Sequence, residues 1–518
     1  MDHHVKIIDL FAGPGGLGEG FSSYEAGNGD QPFRIALSVE KEASAHSTLQ
    51  LRAFYRQFDK GCAPKEYYDY LAGKLGKHPQ DQLYKLRHVR KQAEAAAAEA
   101  RQFELGKNNA QIEATIEKAL GTNPGNWVLI GGPPCQAYSL VGRSRNAGNK
   151  SYKPENDHRN FLYEEYLNII SRFRPAVFVM ENVKGMISAK VNGEKIFPKI
   201  LQDLRLPGKA IDSNAVGGEY EIFSLVEPLS DPVDPRSFII RSEMYGIPQA
   251  RHRVILLGIR SDIAATVTPS LLALECGFLT SEDVLIDLPR LRSGLSKETD
   301  NTEVWRNRII QESTRTISSL RRYGTANVAE TMESAIEKIS SESLTRGSSW
   351  NVCNTQGIKS DHHISSWYRD PSGWSGVCNH EARGHMGADL ARYLYCSAYG
   401  LVNDRSPKAA DFPETLTPDH KNWESGKFAD RFRVQTANRC ATTITSHISK
   451  DGHYFIHYDP SQCRSFTVRE AARIQTFPDN YFFVGGRTDQ YTQVGNAVPP
   501  YLASKIAQIV FGVIKNSV

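Results

Sequence analysis

The sequence predicts an α/β protein. A doubly wound, Rossmann-like parallel sheet forms a large domain, and a smaller, less regular domain accompanies it. Three observations carry that prediction. VKIIDLF is a short buried-strand pattern that runs into the glycine-rich AGPGGLGEGF, a helix, and a second strand, FRIALSVEKE, ending at Glu40. This strand–glycine turn–helix–strand–acid order opens a doubly wound sheet. Two more apolar strands, VLIGGPPC and AVFVMENV, end in polar residues, and FIIRSEMYGIPQARHRVILLGIR supplies two further strands around a loop. In such sheets function lies beyond the carboxyl ends of the strands, where Gly13, Glu40, Cys135 and Glu181 stand.

Residues 58 to 122 break the α/β rhythm. YKLRHVRKQAEAAAAEARQFELG is rich in strong helix formers, which predicts an inserted helical hairpin with a structural or partner-facing role. Residues 260 to 430 are rich in Ser, Arg, Trp and Gly with weak periodicity, and read as the second domain. Order returns in VREAARIQTFPDNYFF and in QVGNAVPPYLASKIAQIVFGVI, a helix after a Pro-Pro start. The expected organisation is residues 1–259 as one domain carrying the insertion, 260–430 as the other, and 431–518 as a return to the first.

The bulk numbers exclude some classes. The chain has 518 residues, 40% hydrophobic and 23% charged, ordinary for a globular protein. With 62 basic against 58 acidic residues the net charge is +4, too small to argue for a polyanion partner by itself. No stretch is long and apolar enough to span a membrane, and MDHHVKIIDLF lacks a signal-peptide pattern. The eight cysteines are spread thinly and do not form a disulfide framework, so the expected compartment is reducing and intracellular.

Each candidate site has a plain structural reading beside a chemical one. Gly13, Gly15 and Gly18 follow the GxGxxG spacing with Glu40 beyond. This suits NAD, FAD or S-adenosylmethionine, or only a tight turn. Pro14 stiffens the loop and Phe11 can stack on an adenine, which favours an adenosyl ligand without a pyrophosphate. Cys135 follows Gly-Gly-Pro-Pro at a strand end, ahead of a polar segment. It is either a small buried hydrophobe or a positioned nucleophile with an access route. Glu181 after five apolar residues is a solvated terminus or a tuned acid. Arg251 and Arg253 alternate in QARHRV, share a face if the segment is a strand, and suit a polar or anionic group or an exposed basic edge. Cys353, Cys378, His380, His385 and Cys396 lack a tight CxxC pair and do not read as a zinc site, and no metal is expected.

In order, DLFAGPGGLGEGF (9–21), GGPPCQAYS (131–139), ENV (181–183), QARHR (249–253), TVREAARIQTFP (467–478) and QVGNAVPP (493–500) resemble the DNA cytosine-5 methyltransferase family, of bacterial restriction-modification type. The resemblance implies an S-adenosylmethionine-dependent methyltransferase fold, with 260–430 in the place of the target recognition domain. It implies that Cys135 attacks ring carbon 6 of a flipped-out cytosine and Glu181 binds and protonates ring nitrogen 3. Arg253, with Arg251, then holds the base carbonyl and fixes Glu181. Phe11, Gly13, Gly16 and Leu17 match the adenosyl loop, Glu40 the ribose acid, and Asn496 and Ala497 the piece completing the methionine pocket. Gln136 and Ser139 would contact DNA near the vacated base, and Arg143 the phosphates. Arg439, Thr442 and Thr443 match the motif bracing the recognition domain, and Arg439 and Thr443 are taken as DNA contacts.

Two features depart from the family. A third polar cofactor contact, expected between the Glu40 and Cys135 strands, has no clear residue, Asp59 being a weak candidate. Trp127 stands where relatives carry Asp. The rivals are a transfer-RNA cytosine-5 methyltransferase, whose Cys-Phe-Thr tripeptide is missing here, a catalytically inactive DNA-binding relative, and an NAD-dependent oxidoreductase. The implied partners are double-stranded DNA and a cognate restriction endonuclease, with the chain a monomer in the bacterial cytoplasm and nucleoid.

Overall fold

The computed structural model describes residues 4–27, 29–133, 158–191, 193–212, 218–323, 325–353, 364–418 and 431–517. Its central sheet has five parallel strands in the order β3–β2–β1–β4–β5, formed by Ala100–Gln102 (β3), Phe33–Glu40 (β2), Val5–Leu10 (β1), Val128–Gly131 (β4) and Val177–Val183 (β5). The sheet continues antiparallel beyond β5. There Tyr220–Phe223 (β6) and Ile239–Arg241 (β7) both pair with His252–Arg260 (β9). Between them Gln249–Ala250 (β8) leaves the sheet and pairs in parallel with Ala441–Thr442 (β10).

The strands are near-continuous apolar runs because both faces are covered. Ile7, Val128, Ile130, Val177, Val179, Ile255 and Leu257 pack on one face with Leu17, Phe21 and the C-terminal helix Pro500–Lys515. Ile8, Leu10, Leu129, Phe178, Met180, Val254 and Leu256 pack on the other, against helices Asn109–Leu120, His158–Phe173 and Phe197–Arg205. The apolar C-terminal span is long enough by composition to cross a membrane, but 67% of it is buried in this core.

The piece expected as an inserted hairpin is more than that. It holds helices Lys65–Leu71, Pro79–Lys85, Arg90–Glu99 and Asn109–Leu120, and it contributes the edge strand β3. Only three residues form β3, after a run of helix-forming alanines, too short to show an alternating pattern. The central region is also more regular than expected, with long helices Thr302–Arg322, Ala326–Ser341 and Gly387–Asn403. In the first of these the buried stripe is Trp305, Ile309, Ser313, Thr316, Ile317 and Leu320. Its two hydroxyl residues blur the helical period that the apolar ones keep. The apolar cluster of this region runs on from Leu279 to Ala497, while Ala441–Thr442 pair with β8, Phe482 and Val484 pack against the cluster of Leu49 and Phe54, and Val498 joins the sheet's own core.

Candidate active site

The strand order reverses between β1 and β4, so the loops leaving these two strands border one crevice, the usual ligand site of such a sheet. The loop after β1 is held in shape by Glu40 at the end of β2. Its carboxylate accepts from the N–H of Gly13 at 2.8 Å, Lys41 at 2.9 Å and Glu42 at 2.8 Å. Burial pushes its pKa up, and these N–H groups pull it back. Among the described residues Gly13 alone uses Oε2, which keeps a lone pair for a ligand hydroxyl. Phe11 takes a left-handed φ of 56°, an outlier for an aromatic residue that turns its side chain out of the strand's alternation.

The far end of the chain closes this loop. A Cβ on Gly16 would stand 2.2 Å from the carbonyl oxygen of Val498, so glycine is what admits that close approach. Tyr481 donates its hydroxyl to the Pro14 carbonyl beneath. Asn496 is exposed at the end of helix Arg487–Asn496, and Ala497 follows it, buried. Leu17, by contrast, has its side chain in the sheet's core cluster.

The segment leaving β4 crosses β5. A Cβ on Gly132 would lie 2.7 Å from the Glu181 backbone oxygen and 3.2 Å from its Oε2. Arg253 Nε meets Glu181 Oε1 at 3.0 Å. The pair is diagonal in the antiparallel ladder, since Glu181 lies opposite Ile255 and Arg253 opposite Val183. Arg253 also donates Nη1 to the His252 carbonyl at 3.0 Å, which fixes the fork. Asn182, buried, donates Nδ2 to the Pro133 carbonyl at 3.1 Å. The root of the next segment is thereby tied to the strand bearing Glu181. Cys135, Gln136, Ser139 and Arg143 lie outside the described residues.

Arg251, expected to converge on this site with Arg253, makes no hydrogen bond or ion pair with Glu181 among the described residues. It is buried, and its Nη1 donates to the carbonyls of Ile444 at 2.9 Å and Gly495 at 3.2 Å. Residue 251 falls in the break between β8 and β9, so strand alternation does not put it on the face of Arg253. Burial, helped by Arg253, pulls its pKa well down. Thr443 donates to the Ala250 carbonyl at 2.6 Å, and Thr442 is bonded to Gln435 through both its N–H and its hydroxyl. Arg439 is exposed and ion-paired with Asp404 at 2.9 Å. It borders a cleft also lined by Arg405, Lys408 and Arg433.

Sequence reasoning passed over several residues. Asp9, inside β1, is 1% exposed, and neither carboxyl oxygen makes a hydrogen bond of normal geometry among the described residues. Burial raises its pKa to about 8, partly offset by Arg56. Beside it, Glu19 pairs with Arg52 and Glu99 with Arg56. With Asp9 protonated, this buried group is charge-balanced. Gln249 and Gln475, within QARHR and TVREAARIQTFP, are both fully buried. The carboxyl end of β3 is the neighbour of Glu40, with the Phe103 N–H bonded to the Glu40 carbonyl at 3.2 Å.

The dispersed histidines and cysteines have ordinary partners. His380 bonds Thr467 Oγ1 at 2.9 Å and the Pro289 carbonyl at 2.8 Å, and His385 bonds Ser465 and Tyr393. Cys353, Cys378 and Cys396 are buried thiols. No cluster able to hold a metal occurs among the described residues.

Known proteins match this chain over its length. A family model described as C-5 cytosine-specific DNA methylase matches residues 102–511. The Type II methyltransferase M.Bpa9945I of Bacillus paralicheniformis is 32% identical over 523 residues, covering 98% of this chain and 99% of that protein. The DNA (cytosine-5-)-methyltransferase M.ApeKI of Aeropyrum pernix is 24% identical, covering 74% and 80%. The crystal structure of a DNA modification methyltransferase encoded within an E. coli prophage has the same fold, with a TM-score of 0.55, 17% identity and 99% of each chain covered.

Proposed function

The chain belongs to the C-5 cytosine-specific DNA methylase family, and on that premise we propose how its residues carry out methyl transfer to carbon 5 of cytosine in DNA. The observation that carries the proposal is the Glu181–Arg253 pair at 3.0 Å, with Asn182 holding the Pro133 carbonyl beside it. Cys135 follows Pro133 by two positions in the sequence.

The Cys135 thiolate adds to ring carbon 6 of the extruded cytosine, and the electrons of the 5,6 double bond move into the ring. Glu181 meets that charge by delivering a proton to ring nitrogen 3. Arg253 keeps the Glu181 carboxyl in place and turns its remaining donors to the base carbonyl. Carbon 5 is then nucleophilic enough to accept a methyl group. After transfer, a water molecule takes the proton from carbon 5, the electrons left behind re-form the 5,6 double bond as the carbon–sulfur bond breaks and Cys135 leaves as thiolate, and ring nitrogen 3 returns its proton to Glu181.

The methyl donor is S-adenosylmethionine, which supplies an electrophilic methyl group when bound. The residues fit it. Phe11 offers a ring for the adenine, Glu40 Oε2 a free lone pair for a ribose hydroxyl, and Gly16 a cradle closed by Val498. Gln102 and Phe103, at the end of β3 beside Glu40, are the third contact the family pattern calls for, in place of Asp59. Asn496 completes the methionine end. Leu17 serves as core beneath the loop, and Arg251 as a brace.

Residues 260–430 read the target sequence, and Arg439 with its basic neighbours meets the DNA backbone. The Type II designation of M.Bpa9945I, similar over nearly the whole chain, supports a role beside a restriction endonuclease in a bacterial cytoplasm. Bisulfite sequencing of plasmid from cells lacking cytosine methylation tests the reading. Protected cytosines in one recurring sequence are expected with this chain and none with Cys135→Ala. Unchanged protection with Cys135→Ala would refute the assigned nucleophile.

A further inference from the structure

We propose that Gln475 and Gln249 are positioning residues, a relay of two side-chain amides that locks the cofactor-closing turn Val494–Ala497 to the root of the recognition region. The proposal rests on the reading of Asn496 and Ala497 as the closing piece of the S-adenosylmethionine pocket.

Both glutamines are fully buried. The Ile444 N–H donates to Gln249 Oε1 at 2.7 Å. Gln249 Nε2 donates to Gln475 Oε1 at 2.9 Å. Gln475 Nε2 donates to the carbonyls of Val494 at 2.8 Å and Ala497 at 3.3 Å. Those two carbonyls flank Asn496. The chain of bonds joins three segments far apart in sequence: the one leading to Arg253, the one after Thr443, and the one closing the loop after β1.

The relay has one polarity. Flipping either amide would set donor against donor and acceptor against acceptor, in a place without solvent to relieve it. The turn bearing Asn496 is therefore held at a defined height over the loop after β1, where Val498 already touches Gly16. A carboxylate at 475 would keep the shape but face two carbonyls with no proton. Protonated, it would regain one donor.

That difference gives a test a purely structural role would not pass. The full chain and the variants Gln475→Glu, Gln475→Met and Gln249→Met are titrated calorimetrically with S-adenosylhomocysteine at about pH 8.5 and about pH 5.5, where a buried carboxyl changes its protonation. Gln475→Glu is expected to bind at least about tenfold more weakly than wild type at the higher pH, the cost of one unmet buried hydrogen bond. It should recover towards wild type at the lower pH. Gln475→Met weakens binding equally at both, and Gln249→Met weakens it less. Wild-type affinity in the variants at both pH values, with only a lower melting temperature, would overturn the proposal. Should Gln475→Glu not fold, the two methionine variants decide it by the same comparison. Failure of the wild type itself to bind would instead refute the cofactor pocket, and the relay's role with it.

Discussion

Asp9→Asn offers a quantitative test of the buried charge beneath the loop after β1. Burial raises the Asp9 pKa from 3.8 to about 8. A carboxyl whose pKa is higher in the folded than in the unfolded chain costs nothing below pH 3.8. It then costs progressively more as pH rises towards about 8, because the unfolded state gives up its proton first. A shift of about four units corresponds to at most about 6 kcal/mol at high pH. Between pH 6 and pH 8 the cost grows by about 2 kcal/mol. The amide cannot ionise, so the stability of Asp9→Asn relative to wild type should rise by that amount over this interval. Urea unfolding of both proteins without cofactor, at matched ionic strength, measures it. The difference between the two cancels every other titrating group. A difference that stays flat from pH 6 to pH 8 would mean that Asp9 is ionised in the folded protein, and the charge balance with Glu19, Glu99, Arg52 and Arg56 would be wrong.

Other substitutions separate the roles assigned above. Gly16→Ala places a carbon 2.2 Å from the Val498 oxygen. The closing segment must then move by about 1 Å, and a displacement of that size is expected to cost about a hundredfold in kcat/KM for the cofactor. Arg253→Met should lower kcat by about a hundredfold or more with little change in Tm. Arg251→Met should instead lower Tm by several degrees, because the Ile444 and Gly495 carbonyls lose a donor at about 1–3 kcal/mol each. Equal effects of the two on Tm and kcat would contradict the division between them. Asn182→Ala leaves the Pro133 carbonyl unpaired. A loss in kcat of about tenfold with unchanged binding of S-adenosylhomocysteine is expected, for about 1 kcal/mol of lost positioning. Burial lowers the pKa of His380 and of His457 to about 4. Their contribution is therefore intact above about pH 6.5 and fades as pH falls towards 4, so Tm should drop across that window and His380→Gln should shallow the drop.

The sheet was legible where strands carry an unbroken apolar run. Val128–Ile130 and Val177–Met180 announce themselves, since both faces are buried there. β3 was not, because its three residues follow an alanine-rich helix and their register comes from β2 rather than from their own pattern. The helices of the central region were hidden in a similar way, with Ser313 and Thr316 buried where a leucine would have marked the stripe. At the site, Glu181 and Arg253 were brought together only by the family resemblance, since their pairing is diagonal across two strands that lie some seventy residues apart in sequence. Arg251 misled because the alternation rule needs an unbroken strand, and the chain breaks at that residue. The partners of Asp9, Gln249 and Gln475 come from segments up to hundreds of positions away, and no local pattern encodes them.

The site is assembled with a division between charged and neutral contacts. The Glu181–Arg253 ion pair lies where the proposed chemistry would take place, and the Glu19–Arg52 and Glu99–Arg56 pairs lie beside Asp9. Three junctions close to the site are amide or hydroxyl bonds: Gln249 to Gln475, Asn182 to Pro133, Thr443 to Ala250. Arg251 there binds carbonyls rather than a carboxylate, while ion pairs such as Arg473–Asp287 and Lys505–Glu275 join distant segments elsewhere. A charged joint would feel every change of charge nearby, and the proposed reaction would bring a polyanion, a thiolate and a charged base together. The energy between unit charges falls only as the inverse of distance and is large in a dry interior. A dipolar bond couples to a distant charge far more weakly. Neutral joints therefore let the segments keep one geometry while the charge at Cys135 and Glu181 changes, and the carboxylate–arginine pair is left free to respond to it.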